Sequence, residues 1–384
     1  MIDRNQHLAR SAYIHVPFCA HHCGYCNFSV IADRLDLSDE YLAAIATEMA
    51  AVKCDRDEPM ELDTLYLGGG TPTQLTCDQL RGLFAITRRT FHASPDCEIT
   101  VEANPSDLDR AKVTTLAELG VNRISLGAQS FHTNHLAVLE RDHRAEQIAT
   151  AVHLAREVGI ASIALDLIFG VPDQTLDQWQ CDLQSALALA PTHISTYGLT
   201  YEKGTTFYSR LTRGELAQLP EELERQMYLI AIDALTEAGF EHYEVSNFAL
   251  PQHRSRHNEV YWTGQPYLAF GPGASRFVDG RRETNHRSVT TYLRRIREGH
   301  SPIAERERLE PEDSARERLV FSLRRLEGID IEEFEHSTGF GLEALVGEAW
   351  QSLEEHGLLE RAGGRLRLTR KGLLVSDSIW PAFL

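Results

Sequence analysis

The chain's 384 residues suffice for one large domain plus a smaller one, with a substantial core. A formal net charge of -18 and a pI near 5.4 exclude a binder held to nucleic acid by phosphate contacts and suit a soluble enzyme or carrier. No run of about eighteen apolar residues occurs, so no membrane span is expected. Met1 to His7 lack the apolar core of a secretory leader. Cys54, Cys77, Cys97 and Cys181 are scattered without a disulfide framework, which fits a reducing cytoplasm.

In chain order, strand-like and helix-like stretches alternate. Strands are expected over residues 12–18, 64–67, 98–102, 123–126, 162–168, 193–199 and 241–245. Helical periodicity falls between them, over 39–52, 77–91, 107–119, 144–158, 176–189 and 221–238. Ser38 and Ser106 stand where the first and third helices want an N-cap. Gly120, Gly159 and Gly239 stand where a left-handed C-cap is wanted. Strands that read apolar on both faces and alternate with helices predict an α/β protein with a parallel sheet. About six βα units suit an open barrel rather than a complete eightfold one. Residues 267–276 are glycine-rich and apolar, and from about Ser301 the chain becomes charged and helical, over 311–326, 331–337 and 341–356. Two short β-like runs, 358–361 and 365–368, turn at Gly363-Gly364 before a last helix near Lys371. Helices followed by a two-stranded wing predict a winged-helix-like α+β unit. It lacks a lysine- and arginine-rich recognition face, so no nucleic acid is expected on it.

Directly after the first strand comes Cys19-Ala-His-His-Cys23-Gly-Tyr-Cys26, spaced Cys-x3-Cys-x2-Cys with no fourth cysteine nearby. A closed zinc site wants four ligands, usually as two separated pairs. Three thiolates on a short loop suit a [4Fe–4S] cluster that leaves one iron free. The other reading is a zinc knuckle completed by His15, His21 or His22. Further signals fall at the C-terminal ends of successive strands, the rim where parallel α/β proteins bind ligands. They are Gly68-Gly69-Gly70-Thr71-Pro72-Thr73, Val101-Glu102-Ala103-Asn104-Pro105, Gly127-Ala128-Gln129-Ser130, and Asp166 before Phe169-Gly170-Val171-Pro172. Singly, each is explained as a turn, a cap or an ion pair. Together, in register with the cysteine loop, they are not.

These residues resemble the radical S-adenosylmethionine (SAM) superfamily, and more narrowly its HemN/HemW group. The narrower likeness rests on Ile14-His15-Val16-Pro17-Phe18-Cys19, Glu102-Ala103-Asn104-Pro105, the stretch from Arg123 to Phe131, and Asp166-Leu167-Ile168-Phe169-Gly170-Val171-Pro172. The resemblance implies a partial (β/α)6 radical SAM barrel with a C-terminal winged-helix-like α+β domain. Its expected divisions are an N-terminal arm (1–11), the barrel (12–250), a closing segment (251–300) and the C-terminal domain (301–384). It implies that Cys19, Cys23 and Cys26 ligate three irons, with SAM chelating the fourth and cleaved on reduction to a 5′-deoxyadenosyl radical. Gly69, Gly70 and Thr71 would lie against the methionyl part of SAM, and Glu102 would reach its amino end. Gln129, Arg141 and Asp166 match further SAM contacts, Arg141 suited to a carboxylate and Asp166 to ribose hydroxyls. Tyr13 would stand at the mouth of the site, and Tyr25 would cover the adenine side.

The group holds oxygen-independent coproporphyrinogen III dehydrogenases and haem chaperones. The dehydrogenase pattern carries a further cysteine two residues after the third, where this chain has Phe28, and a longer N-terminal arm. His257-Asn258-x2-Tyr261-Trp262 resembles the haem chaperones instead, and His257 is the expected haem ligand, with Tyr261 and Trp262 as neighbours. Read from composition alone, His257 and Trp262 are packing residues. The resemblance therefore implies a cytoplasmic haem chaperone that binds the cluster, SAM and haem, and passes haem to acceptor haemoproteins. It further implies an electron donor, and suggests a homodimer on cluster loading. The alternatives are the dehydrogenase, performing radical oxidative decarboxylation, and a zinc-dependent winged-helix regulator.

Overall fold

A computed structural model describes residues 9–53 and 59–384. Most of the expected N-terminal arm and Cys54 lie outside the described residues. Six strands run parallel in sequence order: β1 (Ser11–Val16), β2 (Met60–Gly69), β3 (Phe91–Ala103), β4 (Arg123–Gln129), β5 (Ser162–Phe169) and β6 (His193–Gly198). Each of the first five is followed by a helix that crosses back over the sheet: α1 (Ser38–Lys53), α2 (Cys77–Thr90), α3 (Arg110–Glu118), α4 (Ala145–Glu157) and α5 (Leu176–Ala188); α6 (Glu221–Glu237) follows β6. The order is linear, so the sheet does not close. Glu241–Glu244 (β7) and Asn247–Ala249 (β8) add an antiparallel pair beyond β6, and Leu268–Phe270 (β9) runs parallel to β1 at the opposite edge. This is the expected partial (β/α)6 barrel.

Local chemistry fixes most element ends. Thr76 with Gln79 and Thr175 with Gln178 form reciprocal capping boxes on α2 and α5. Gly120, Gly159 and Gly239 take φ of +90°, +86° and +88° after their helices, as expected. The two serine caps differ: Ser38 is the first helical residue of α1, its hydroxyl donating back to Leu35 O. Pro105 starts a short 3-10 turn, and it is Asp109 that caps α3 by accepting from the Lys112 N–H. Ser106 instead donates to Asp142. Strand β3 begins seven residues before Glu98, because Phe91–Ala93 pairs with Met60–Leu62 ahead of a register shift between Leu62 and Thr64.

The second half holds a three-stranded antiparallel sheet that the sequence reading lacked, formed by Ser275–Val278, Arg281–Asn285 and Ile303–Arg308. The last of these lies in the stretch read as charged from about Ser301, ahead of the first helix expected there, at 311. Its alternating glutamates and arginines pair across strands, Arg306 with Glu283 and Glu307 with Arg282, so charge pairing hides the strand pattern. Beyond it, helices Pro311–Leu323, Ile331–Thr338 and Leu342–Glu355 pack with an antiparallel sheet of Ile329–Asp330, Leu359–Ala362 and Arg365–Leu368. Gly363 and Gly364, at φ of +59° and +78°, make the tight hairpin turn of this wing. The wing unit shares its core with the barrel: one apolar cluster reaches from Ile14 and Leu67 to Leu319, Leu323 and Trp350. Among the described residues no helix is long and apolar enough to cross a membrane.

Candidate functional site

The cysteine loop is tied down at both ends and in the middle. Phe18–Cys19 pairs with Ile31–Ala32, so the intervening residues form a tethered loop. Gly70 donates its N–H to Val16 O at 2.9 Å, and Thr71 donates its own to Phe18 O at 2.7 Å. A Cβ on Gly70 would lie 2.7 Å from the Val16 oxygen, so only glycine lets β2 approach the loop this closely. The Thr71 hydroxyl stands 3.7 Å from Cys19 Sγ. At the loop centre, the Gly24 N–H donates to the Glu140 carboxylate at 2.8 Å and the Gly24 carbonyl accepts from the Phe207 N–H at 2.8 Å. Glu140 holds a left-handed φ of 56°, and its carbonyl faces the Cys23 thiol at 3.7 Å. Tyr25 packs edge-on against Phe207.

Burial pushes the Cys19 thiol up to about 12 and raises Cys26 as well. Both thiols therefore keep their protons until a cation displaces them. Among the described residues no three cysteine, histidine, aspartate or glutamate side chains converge to hold a single metal ion. The histidines of the zinc reading are engaged elsewhere: His15 with Ser29 O and Tyr13, His21 with Glu140, and His22 with Cys26 O.

The rim residues converge above this loop. Glu102 accepts from the Tyr66 hydroxyl at 2.8 Å and the Gly69 N–H at 3.0 Å. Neither donor is a cation, and burial raises its carboxyl to about 7, with Asp166 adding repulsion. A Cβ on Gly68 would lie 2.7 Å from the Glu102 carboxyl carbon, and one on Gly69 would enter the His15 ring. Arg141 donates to Asn104 Oδ1 at 3.1 Å and Gly127 O at 3.2 Å, and lies 3.7 Å from Cys23 Sγ. Its buried Nε finds no partner among the described residues. Gln129 sits at φ 62°, where β4 slips register against β5. Asp166 accepts from Ser125 at 3.0 Å, and burial raises its carboxyl too. A buried carboxylate without a cation, a guanidinium with a spare donor, and glycines that open the strand ends are what a zwitterionic amino acid group beside a cluster requires. The three free thiols and these donors fit both groups.

The His257 segment lies on the other flank of Tyr13 and Tyr66. Helix Arg256–Trp262 is capped by Ser255, and its first N–H groups, from Arg256 and His257, donate to the Glu98 carboxylate at 3.1 and 3.0 Å. His257 is 1% exposed. Its Nδ1 bonds Thr64 Oγ1 at 2.7 Å and its Nε2 bonds the Tyr261 hydroxyl at 2.8 Å. The ring stacks on Tyr66 with centroids 5.1 Å apart, and burial lowers its pKa to about 3. Tyr261, one turn on, lines a cleft of about 420 Å³ with Tyr13, Phe28, Tyr267 and Arg287; His257 does not. Phe28 is 66% exposed at this cleft. Trp262 turns instead toward the C-terminal unit, beneath Arg324 at 4.6 Å.

Tyr66, Glu140 and Phe207 were missed from the sequence. Tyr66 joins the two halves, its hydroxyl on Glu102 and its ring on His257. The period-2 alternation of Thr64, Tyr66 and Gly68 along β2 carries that signal. Glu140 and Phe207 act from segments far along the chain, and no local pattern marks them.

Comparisons with known proteins agree with this geometry. Residues 13–184 match the family model of the radical SAM superfamily, and 309–375 match the HemN C-terminal domain. The heme chaperone HemW of Bacillus subtilis (strain 168) is 36% identical over 376 residues, 98% of this chain and 99% of the relative. A mitochondrial radical S-adenosyl methionine domain-containing protein 1 of Danio rerio is 31% identical, over 97% of this chain and 86% of its own length. The solved coproporphyrinogen III oxidase (HemN) of Escherichia coli superposes with a TM-score of 0.86 at 23% identity, covering 99% of this chain and 91% of that one, a likeness of fold. With fold, cysteine loop and near full-length likeness in agreement, the chain belongs to the HemW family of the radical SAM superfamily.

Proposed function

We propose that this protein is a haem chaperone: it holds a [4Fe–4S] cluster and SAM at the barrel rim, binds haem beside them, and passes it to acceptor haemoproteins. The observation that carries this reading is the cleft shared by the cysteine loop and the His257 segment. There Phe28 and three tyrosines, Tyr13, Tyr261 and Tyr267, offer aromatic surface and Arg287 offers a cation, matching a flat apolar macrocycle with carboxylate arms.

Cys19, Cys23 and Cys26 would hold three irons of the cluster, which when bound would supply an open iron for SAM and a one-electron reductant. Glu102, which meets only neutral donors, would receive the amino group of SAM. Arg141, with its spare Nε, would take the carboxylate, and Asp166 would accept from ribose hydroxyls. Gly69 and Gly70 leave room beside them, while Gln129, Thr71, Tyr13 and Tyr25 wall the site. The loaded protein would draw its electron from a separate donor, and cluster loading would favour a homodimer.

The experiment is a paired assay on one anaerobically reconstituted sample. Iron–sulfur absorbance should appear in the wild type and be lost in Cys23→Ala. Haem should titrate to a saturable Soret band, while coproporphyrinogen with SAM and reductant should give no more decarboxylation than the protein-free control. Substantial decarboxylation would favour the dehydrogenase reading and sink this one.

A further inference from the structure

The expected ligand, His257, is placed poorly for meeting haem directly. Both ring nitrogens are occupied, Nδ1 by Thr64 and Nε2 by Tyr261, and the ring is 1% exposed. Tyr261 is placed well. It lines the cleft, and the i,i+4 spacing on helix Arg256–Trp262 sets it beside His257. Tyr267 braces it edge-on at 4.7 Å between centroids. The His257 ring is fixed in turn by Tyr66, which stacks on it at 5.1 Å. A phenol held against a neutral imidazole that is itself held by a hydroxyl is a three-part hydrogen-bonded chain that fixes an oxygen donor in place. Tyrosine is an established type of axial ligand to haem iron.

We propose that Tyr261 supplies the oxygen that binds haem iron in the cleft, and that His257 is the positioning residue that holds that oxygen by its hydrogen bond. This rests on the haem chaperone reading above. On binding ferric haem, an iron–oxygen bond forms and the phenol O–H bond breaks. The proton leaves to solvent through the cleft, and the neutral His257 ring donates its Nε2–H to the phenolate oxygen along the existing 2.8 Å contact, while Nδ1 accepts from the Thr64 hydroxyl. No electron is transferred, and the iron stays ferric. Phe28, exposed across the cleft, covers a porphyrin face, and Arg287, which donates to Asn27 O, keeps further N–H donors for a propionate.

The two assignments predict opposite outcomes for one hydroxyl. Tyr261→Phe removes the oxygen donor and also frees His257 Nε2. If Tyr261 is the ligand, this variant binds ferric haem at least ten-fold more weakly and loses the phenolate-to-iron charge-transfer band and its resonance Raman modes. His257→Gln then keeps the phenolate signature at reduced affinity. If His257 is the ligand, Tyr261→Phe binds as tightly or more tightly with an imidazole-type spectrum, and the proposal is overturned. The wild-type spectrum decides independently of how either variant folds, because an imidazole signature there also overturns it. Cluster content and melting temperature, measured on each variant, show that Tyr261→Phe is intact. A wild type that binds no haem removes the chaperone reading and this assignment together. A wild type that binds haem with no effect of Tyr261→Phe removes the assignment alone.

Discussion

Glu102 shows how a single side chain is held ready for a charge that has not arrived. Its carboxyl is raised from 4.5 to about 7, chiefly by burial, against the opposing pull of the Tyr66 hydroxyl. A carboxyl whose folded value lies above its unfolded value penalises the folded state when ionised. That penalty is absent below about pH 4.5, grows between 4.5 and 7, and is complete above. In cluster-free protein, Glu102→Gln removes this titration. The melting temperature of the wild type should therefore fall relative to the Gln variant as pH rises through that window. A difference that stays constant from pH 4 to 8 would show that the carboxyl does not titrate there. The same substitution should abolish tight SAM binding by the reconstituted protein, since the cation-accepting group is gone. Glu102 was legible in the sequence because it ends a strand in a recognisable run. Tyr66, which holds it, was not: an aromatic inside an apolar strand reads as core, and only the pleat direction separates the two.

Among elements, those that build the rim were the most legible. Parallel strands buried on both faces give continuous apolar runs, and their helices carry caps and glycine stops that local chemistry dictates. The sheet of Ser275–Val278, Arg281–Asn285 and Ile303–Arg308 was illegible because its strands are short and charged, stabilised by cross-strand ion pairs rather than by an apolar face. The clamp on the cysteine loop was illegible for another reason. Phe207 lies on helix Thr206–Thr212 and Glu140 follows helix Thr133–Val138, and both meet Gly24 only in three dimensions. Gly24 has no unusual backbone angle, so its need for a hydrogen side chain is purely steric: a Cβ would sit 2.7 Å from the Phe207 ring and 3.1 Å from the Glu140 carboxylate. Gly24→Ala should therefore overpack the clamp, at about 1–3 kcal/mol, and shorten the lifetime of the reconstituted cluster roughly ten-fold, followed as iron release to a chelator. Adding Phe207→Ala should recover part of that lifetime. Equal lifetimes for Gly24→Ala and wild type would mean that the clamp does not hold the loop.

At the scale of the whole molecule, the C-terminal unit is joined to the barrel through the far side of the His257 helix. Trp262 lies under the Arg324 guanidinium at 4.6 Å, and its carbonyl accepts from the Ser322 hydroxyl at 3.2 Å. Backbone bonds from Val245 N to Arg324 O, at 3.1 Å, and from Leu326 N to Tyr243 O, at 3.1 Å, extend the sheet edge into the unit. The charge balance at this joint rests on Glu244, which is fully buried, accepts from Ser246 N and Asn247 Nδ2, and lies 3.7 Å from Arg324. Its second oxygen has no hydrogen-bond partner among the described residues, so Arg324 is the cation that offsets its burial. Arg324→Ala should cost about 3 kcal/mol, because it strands a buried carboxylate. Burial already raises the Glu244 carboxyl, and losing Arg324 raises it further. Protonation then relieves the variant, so its loss of stability should be smaller at pH 5 than at pH 8. Adding Glu244→Gln keeps an acceptor for Ser246 and removes the charge, and should recover most of the loss at pH 8. Chemical denaturation of the four proteins at both pH values measures each term. A pH-independent loss that Glu244→Gln does not repair would assign the joint to the packing of Arg324 on Trp262 instead. Because Trp262 and Tyr261 are adjacent on one short helix, a loosened joint should also weaken haem retention, tying the C-terminal unit to the cargo it does not touch.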